Sequence, residues 1–360
     1  MLSILKNNFN SNQDKISKDF DNSRNIKNRD FVNKQTNKSS NYSILSSCKV
    51  CGSKSLTDIF SLDYQFLSST FVNSNVEETK RACIKVPLTI TLCNTFDNKT
   101  GCGLLQLKEE VKNNLLYERY FYRSSTNTTM VSDLKKVVDD IKSKTELKDD
   151  DIVVDIGAND CTMIQNYPKN LIRVAVEPAK NIDWKYVDPS IFIINDYFSS
   201  KVFMDLLPQK KVKVFSCCAM FYDLPNPNKF LSDLKQLLLS DGILCIQLSY
   251  LPLMIKNLNF YDICHEHLSY YSLKSLNTLM LKNGLYIFDA STNDVNGGSL
   301  RAYITHIENK KVSNKKNRSN VSKLLLQEDK MNLENPKTYH DYFNKMNALS
   351  AKVKKYFNRE

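Results

Sequence analysis

The sequence predicts an α/β protein, a doubly wound domain preceded by a small cysteine-rich module. Three observations carry that reading. From residue 151 short apolar runs alternate with helical stretches. A glycine-bearing acidic turn follows the first of those runs, and ahead of it two cysteine clusters bracket residues 44–107.

At 360 residues and 42% apolar composition the chain can bury a substantial core. Residues 1–43 contain neither Gly nor Pro, are rich in Asn, Lys, Ser and Asp, and show no sustained apolar period. They are expected as a disordered polar tail, at most loosely helical. Residues 44–107 form the cysteine-rich module. Residues 108–147 (KEEVKNNLLYERYFYRSS, VSDLKKVVDDIKSK) space apolar side chains at helical intervals and predict a helical lead-in. The runs DIVVDI, LIRVAVE, IFIIN, VKVFSCCA and GILCIQL then predict a mainly parallel sheet covered on both faces. LYIFDA (285–290) and LRAYITH (300–306) predict an antiparallel hairpin closing it, which ends the main domain at 307. Residues 308–360 are Lys-rich and helical in character.

The net charge of +11 sits in the tails: residues 1–43 carry eight Lys/Arg against four Asp/Glu, residues 308–360 thirteen against six, and residues 44–307 carry 29 of each. A neutral centre argues against a specific nucleic-acid surface; the basic ends read as a solubilising fringe with weak, unselective attraction for polyanions. No run approaches the roughly 18 apolar residues of a membrane span, and MLSILKNNFNSNQDK lacks the apolar core of a signal peptide. A cytoplasmic protein without membrane contact is expected. Its ten cysteines are then metal ligands and buried thiols rather than a disulfide set.

Asp155-Ile156-Gly157-Ala158-Asn159-Asp160 follows an apolar strand, where a glycine lets backbone approach a ligand at the strand's carboxyl end. Glu177 ends the next strand, 22 residues after Asp155, a spacing suited to gripping ribose hydroxyls. G-x-G-x-x-G is absent, so an adenosine cofactor without phosphates fits better than a dinucleotide. Asn195-Asp196 would read the adenine, and Cys217-Cys218-Ala219 would line the opposite wall; the bland alternative is strand-end acids that only cap helices.

Cys48-x2-Cys51-Gly52 resembles a zinc knuckle, completed by Cys93 and Cys102, with Cys83 an equal contender for the second pair. Four thiolates would staple a segment too small to hold its own core. Two of the four histidines fall in Tyr261-Asp262-Ile263-Cys264-His265-Glu266-His267. An imidazole beside a carboxylate suits general acid/base work; a metal pair on one strand face and a structural hydrogen-bond network are the competing readings. Asn293–Arg301 joins two strands, and Arg301 either binds a phosphate or carboxylate or ends a plain hairpin turn.

Taken in order from about residue 44 to 345, CGLLQL, YFYRSSTNTTM, VVDIGANDCTM, VEPAKN, INDYF, SCCAMFYDL, IQLSYLPLM, YDICHEHLSYYSL and NDVNGGSLRAY resemble the nucleotide-sugar C-methyltransferases, which act at C-3 of deoxy-4-keto hexoses. The resemblance implies a Rossmann-like class I methyltransferase domain that binds S-adenosylmethionine, with zinc in the cysteine module and the nucleotide sugar as substrate. It implies His267 as the base, Glu266 and His265 orienting it or the sugar, and Tyr122 closing the pocket. It also implies Asp155, Gly157, Asn159, Asp160, Glu177, Asp196, Cys218 and Ala219 around the cofactor, and Cys48, Cys51, Cys93 and Cys102 on the metal. Three positions depart from the family pattern. Cys161 stands where relatives carry glycine and is expected to crowd the cofactor; Cys264 replaces a tyrosine; and no glycine follows Gly298, so the family's C-terminal lobe is expected to be truncated or supplied by another chain. The competing functions are methylation of a different acceptor and a noncatalytic relative that binds cofactor or a partner.

Overall fold

Thr, Ile and Leu recur in LTDIFSLDYQF and KVPLTITLC, which fold as adjoining strands of a meander. The computed structural model describes residues 41–70, 83–95, 100–309 and 318–358. In it β1 (Tyr42–Ile44), β2 (Leu56–Phe66), β3 (Lys85–Cys93), β4 (Leu105–Leu107) and β5 (Glu109–Val111) build the amino-terminal part. β2, β3 and β4 pair antiparallel in sequence, and β1 pairs with β5, Tyr42 opposite Val111. The expected tail at 1–40 lies outside the described residues, but Tyr42 and Ser43, expected in that tail, belong to this ribbon.

The helical reading of 108–147 is corrected at its start. Glu109–Val111 is a strand, because the β1 edge completes its hydrogen bonds and Val111 is buried with Leu67, Val86 and Leu116. Helix follows only in α1 (Asn113–Tyr117) and α2 (Thr128–Lys144). α2 begins at Asn127, whose side chain accepts from the amides of Thr129 and Met130, a cap that contributes about 1 kcal/mol. It lays Leu134, Val137, Val138 and Ile141 on the sheet.

The main sheet contains β6 (Ile152–Ile156), β7 (Ile172–Val176), β8 (Ile191–Ile194), β9 (Val212–Cys218), β10 (Leu238–Ser249), β12 (Leu285–Asn293) and β13 (Ser299–His306), in the order β12-β13-β10-β9-β6-β7-β8. β11 is the short Ser269–Tyr270, which pairs with β4 and so joins the amino-terminal meander to the main domain. β6 to β10 run parallel, and β13 is antiparallel to both neighbours, as the hairpin reading expected. All five residues of β6 are buried, Ile152, Val154 and Ile156 on one face and Val153 on the other, as a strand covered on both sides requires. The chain leaves β6 toward β7 on one flank and reaches β9 on the other. Their carboxyl ends therefore diverge and open a crevice.

α3 (Ser200–Leu206), α4 (Pro227–Leu237), α5 (Leu251–Asn257) and α6 (Leu273–Lys282) complete the domain. The connections β6–β7 and β7–β8 hold only single 3-10 turns. The expected C-terminal segment is helical as read, in α7 (Ser319–Asp329) and α8 (Pro336–Phe357). α8 packs on β2 through Phe343 and Phe60, stacked at 4.2 Å, and buries Tyr339 and Tyr342. Glu328 of α7 accepts from the amides of Leu273 and Lys274 and from the Tyr250 hydroxyl, so its carboxylate caps α6. Among the described residues no helix is long and apolar enough to cross a membrane.

Candidate active site and metal centre

Four sulfurs meet where the two cysteine clusters converge. The Sγ atoms of Cys48, Cys51, Cys93 and Cys102 all lie within 4.8 Å of one another, with Cys48–Cys102 and Cys51–Cys93 at 3.5 Å. A tetrahedron with zinc–sulfur bonds of about 2.3 Å has edges of about 3.8 Å, so the donor set fits zinc. The knuckle geometry follows from Gly52, held at φ 82° with its amide on the Cys48 carbonyl. Cys83, the contender for this set, is exposed and stands outside it. Contact with Cys102 holds the Cys48 thiol down at about 2, while contact with Cys48 pushes Cys102 far up. Several thiolates can share this space only around a cation.

At the crevice between β6 and β9 lies a cavity of about 600 Å³, bounded by Asp155, Gly157 and Asn159 after β6, Glu177 after β7, and Cys218 and Ala219 after β9. Gly157 sits at φ 74°, and a Cβ there would meet the Met220 side chain at 2.9 Å. Glu177 is buried, its two carboxylate oxygens accepting from the amides of Asn159 (2.8 Å) and Ala179 (2.9 Å). Burial pushes the Asp155 carboxyl up to about 8, against one hydrogen bond from Ser216 (3.1 Å). Asn159 ties the loop to the segment above it: its Oδ1 accepts from the Ser124 amide and its Nδ2 donates to the Tyr122 carbonyl, both at 3.0 Å. That places Tyr122 on the cavity wall.

Five expectations around the cavity are corrected. Asp160 is not on the cavity lining; it accepts from the Ser125 amide (2.9 Å) and the Thr162 hydroxyl (2.5 Å), so it braces the loop from behind. Asp196 is exposed at the end of β8, and Tyr197 and Phe198 form the wall there instead. Asn195, expected with it, donates to the carbonyls of Glu177 and Ala179. Cys161 does not crowd the cavity, because its left-handed backbone (φ 65°) turns the thiol into the apolar layer under α2 with Ala158, Met163 and Ile164. Its non-glycine conformation costs about 1–2 kcal/mol. Cys217 is likewise core, not wall.

The His-Glu-His segment is a turn, closed by the His267 amide on the Cys264 carbonyl at 3.3 Å. Successive side chains therefore do not share a strand face, and the two histidines part. His265 is buried, with Nε2 3.1 Å from the carbonyl of Val86 in β3, and desolvation lowers its pKa. It fastens the turn to the amino-terminal meander and does not orient His267. The metal-pair reading falls with it: among the described residues, the four cysteines are the group able to hold a metal. Glu266 is buried, and its Oε1 has no partner. His267 is half-buried, with Nδ1 2.8 Å from the carbonyl of Asp262 and its ring 4.3 Å from that of Tyr222. His267 is not itself on the lining; Tyr222 and Asp223, which it faces, are.

Arg301 is engaged inside the fold. It is buried and donates to Gln247 (2.8 Å), Asp133 (2.8 Å) and Asp140, locking α2 onto the sheet. Sequence reasoning missed Tyr117, Tyr120, Tyr222 and Asp223 on the cavity wall. The aromatic run YERYFY carried the signal but was absorbed into a helix.

Three family models match in chain order: a zinc binding domain at residues 48–117, a methyltransferase domain at 129–289, and a C-methyltransferase C-terminal domain at 294–359. The chain belongs to the C-methyltransferase family. Residues 129–289 are its methyltransferase domain, and the cysteine module lies in the zinc binding domain. The C-methyltransferase NovU of Streptomyces niveus is 28% identical to this chain over 255 residues, 70% of this chain and 59% of that protein. This chain therefore spans about three-fifths of that relative's length. Among solved structures, the complex between the Haloferax volcanii Trm112 methyltransferase activator and a methyltransferase aligns at TM-score 0.41 and 12% identity, over 51% of this chain and 94% of that one. The plantazolicin methyltransferase BpumL, solved with a triazolic desmethylPZN analogue and SAH, aligns at TM-score 0.40 and 13% identity, over 51% of this chain and 87% of that one.

Proposed function

We propose that this C-methyltransferase methylates the carbon next to the ketone of a nucleotide-linked 4-keto deoxy sugar. S-adenosylmethionine supplies the methyl group. The sugar-nucleotide acceptor comes from the sequence resemblance, and the chemistry is supported by one observation, the 2.8 Å contact of His267 Nδ1 with the Asp262 carbonyl. A carbonyl only accepts, so Nδ1 carries the hydrogen and Nε2 keeps the lone pair a base needs. Set beside Tyr222 and Asp223, that nitrogen serves a substrate at the aromatic end of the cavity.

The cofactor end is the strand-end crevice. Each oxygen of Glu177 retains a lone pair for a ribose hydroxyl, Gly157 gives backbone access, and Cys218 and Ala219 form the far wall. Asn159 keeps Tyr122 over the opening, excluding water. Zinc is structural in this reading: the cysteine module carries the β3 carbonyl that anchors His265, two residues before the base.

Calorimetric titration with S-adenosylmethionine and S-adenosylhomocysteine, followed by proton exchange in heavy water, tests the proposal. Micromolar binding and deuterium uptake at C-3 of a 4-keto sugar nucleotide are expected. Binding without uptake in any keto-sugar nucleotide would overturn the acceptor; no binding would favour the noncatalytic reading.

A further inference from the structure

Resting on that reading, we infer that Asp223 is a second catalytic residue, a neutral carboxylic acid that donates a hydrogen bond to the ketone oxygen as the enolate forms. Asp223 lies on the cavity wall beside Tyr222, Leu224 and Pro225. The residue is half-buried, but its Oδ1 is sealed from solvent and has no hydrogen-bond partner. A buried carboxylate in that state would cost several kcal/mol. A neutral carboxylic acid avoids that cost.

The groups facing Asp223 come from three elements. The His-Glu-His turn contributes Glu266, Cys264 and His267, α1 contributes Tyr117, and Tyr120 follows it. Burial raises the Asp223 carboxyl well above its ordinary value; Glu266 and Cys264 add to that, while His267 and the neighbouring Tyr117 hydroxyl oppose it without cancelling it. Glu266 is itself buried with an unpartnered Oε1, so two carboxyl groups share a pocket that does not readily hold two charges. Among these groups the thiol of Cys264 is pushed up to about 12 and the buried tyrosines are raised further. Neither that thiol nor those tyrosines titrate near neutrality.

In the step assigned, the C–H bond next to the ketone breaks and the proton passes to Nε2 of His267. The bonding pair forms the carbon–carbon double bond, and the carbonyl π pair moves to oxygen. Asp223 keeps its proton and lends it as a hydrogen bond. An acid held neutral in this way is an oxyanion donor, and removing one such donor typically costs about 10²–10³ in rate.

The test measures α-proton exchange of a 4-keto sugar nucleotide against pH, with S-adenosylhomocysteine bound, in wild type, Asp223→Asn and Asp223→Leu. Binding of S-adenosylhomocysteine by each variant reports that it has folded. The amide of Asn donates but cannot ionise. Asp223→Asn is therefore expected to lose less than about tenfold and to lose the alkaline fall of the profile, while Asp223→Leu loses about 10²–10³. Exchange abolished in Asp223→Asn would make the group a base and overturn the proposal, as would wild-type rates in Asp223→Leu. The wild-type profile needs no variant: an ionised Asp223 carboxylate at neutral pH, seen by infrared spectroscopy of protein labelled at aspartate, overturns it too. Wild-type protein that binds S-adenosylhomocysteine but exchanges no keto sugar instead fails the acceptor assignment.

Discussion

The imidazole of His267 is held from behind: its Nδ1 lies 2.8 Å from the carbonyl oxygen of Asp262, five residues upstream. The hydrogen bond fixes one tautomer, and the 4.3 Å contact with Tyr222 fixes the ring. Replacing His267 by Ala removes the proposed base without touching Gly157 or Glu177. Methyl transfer is expected to fall by about 10²–10⁴, with the calorimetric affinity for S-adenosylhomocysteine unchanged. A parallel loss of cofactor affinity would place His267 in the binding site instead.

Asp155 makes the protein's stability fall with pH. Its folded carboxyl is raised to about 8, while the unfolded chain ionises at about 4. Between those values the folded state holds a proton that the unfolded state has released, so the stabilisation is complete below about pH 4 and is lost as pH rises toward 8. Asp155→Asn keeps the acceptor for Ser216 and cannot ionise. Its melting temperature is expected to exceed that of wild type by a margin that grows from pH 5 to pH 8. Parallel curves over that range would show that Asp155 does not titrate there.

The sheet was legible because parallel strands must be apolar on both faces, and DIVVDI through GILCIQL read as unbroken apolar runs. The first Cys pair was legible as well, since a knuckle glycine follows Cys48-x2-Cys51, whereas only the sulfur geometry separates Cys93 and Cys102 from Cys83. What failed was local spacing without its partner. Glu109–Val111 spaces like the start of a helix, yet the complementary edge of β1 lies more than sixty residues earlier and converts it to a strand. His265 and His267 sit two apart, as on one strand face, but the turn sends one imidazole to Val86 and the other to Asp262. Arg301 follows a glycine-bearing loop like an anion site. Its carboxylates come from α2, which no pattern around Arg301 announces.

One zinc ion should bind per chain, read by metal analysis of the purified protein. Cys48→Ser and Cys102→Ser are each expected to retain less than about half of that zinc and to unfold at lower temperature, because metal binding and folding of the module are one equilibrium. Cys83→Ser, outside the sulfur cluster, is expected to change neither. Loss of zinc in the Cys83 variant would return that residue to the ligand set.

Arg301 separates a structural role from an anion-binding one. Its guanidinium is buried and shared by Asp133, Asp140 and Gln247. Arg301→Met removes the cation and leaves Asp133, itself buried, without its charge partner. Breaking a buried pair from one side costs about 3–5 kcal/mol, so a drop of that order in urea-unfolding free energy is expected. Adding Asp133→Leu should recover part of it, because the double variant leaves a more apolar contact between α2 and β13. An Arg301→Met protein of wild-type stability with a raised KM for the sugar nucleotide would instead make the guanidinium a ligand for substrate phosphate.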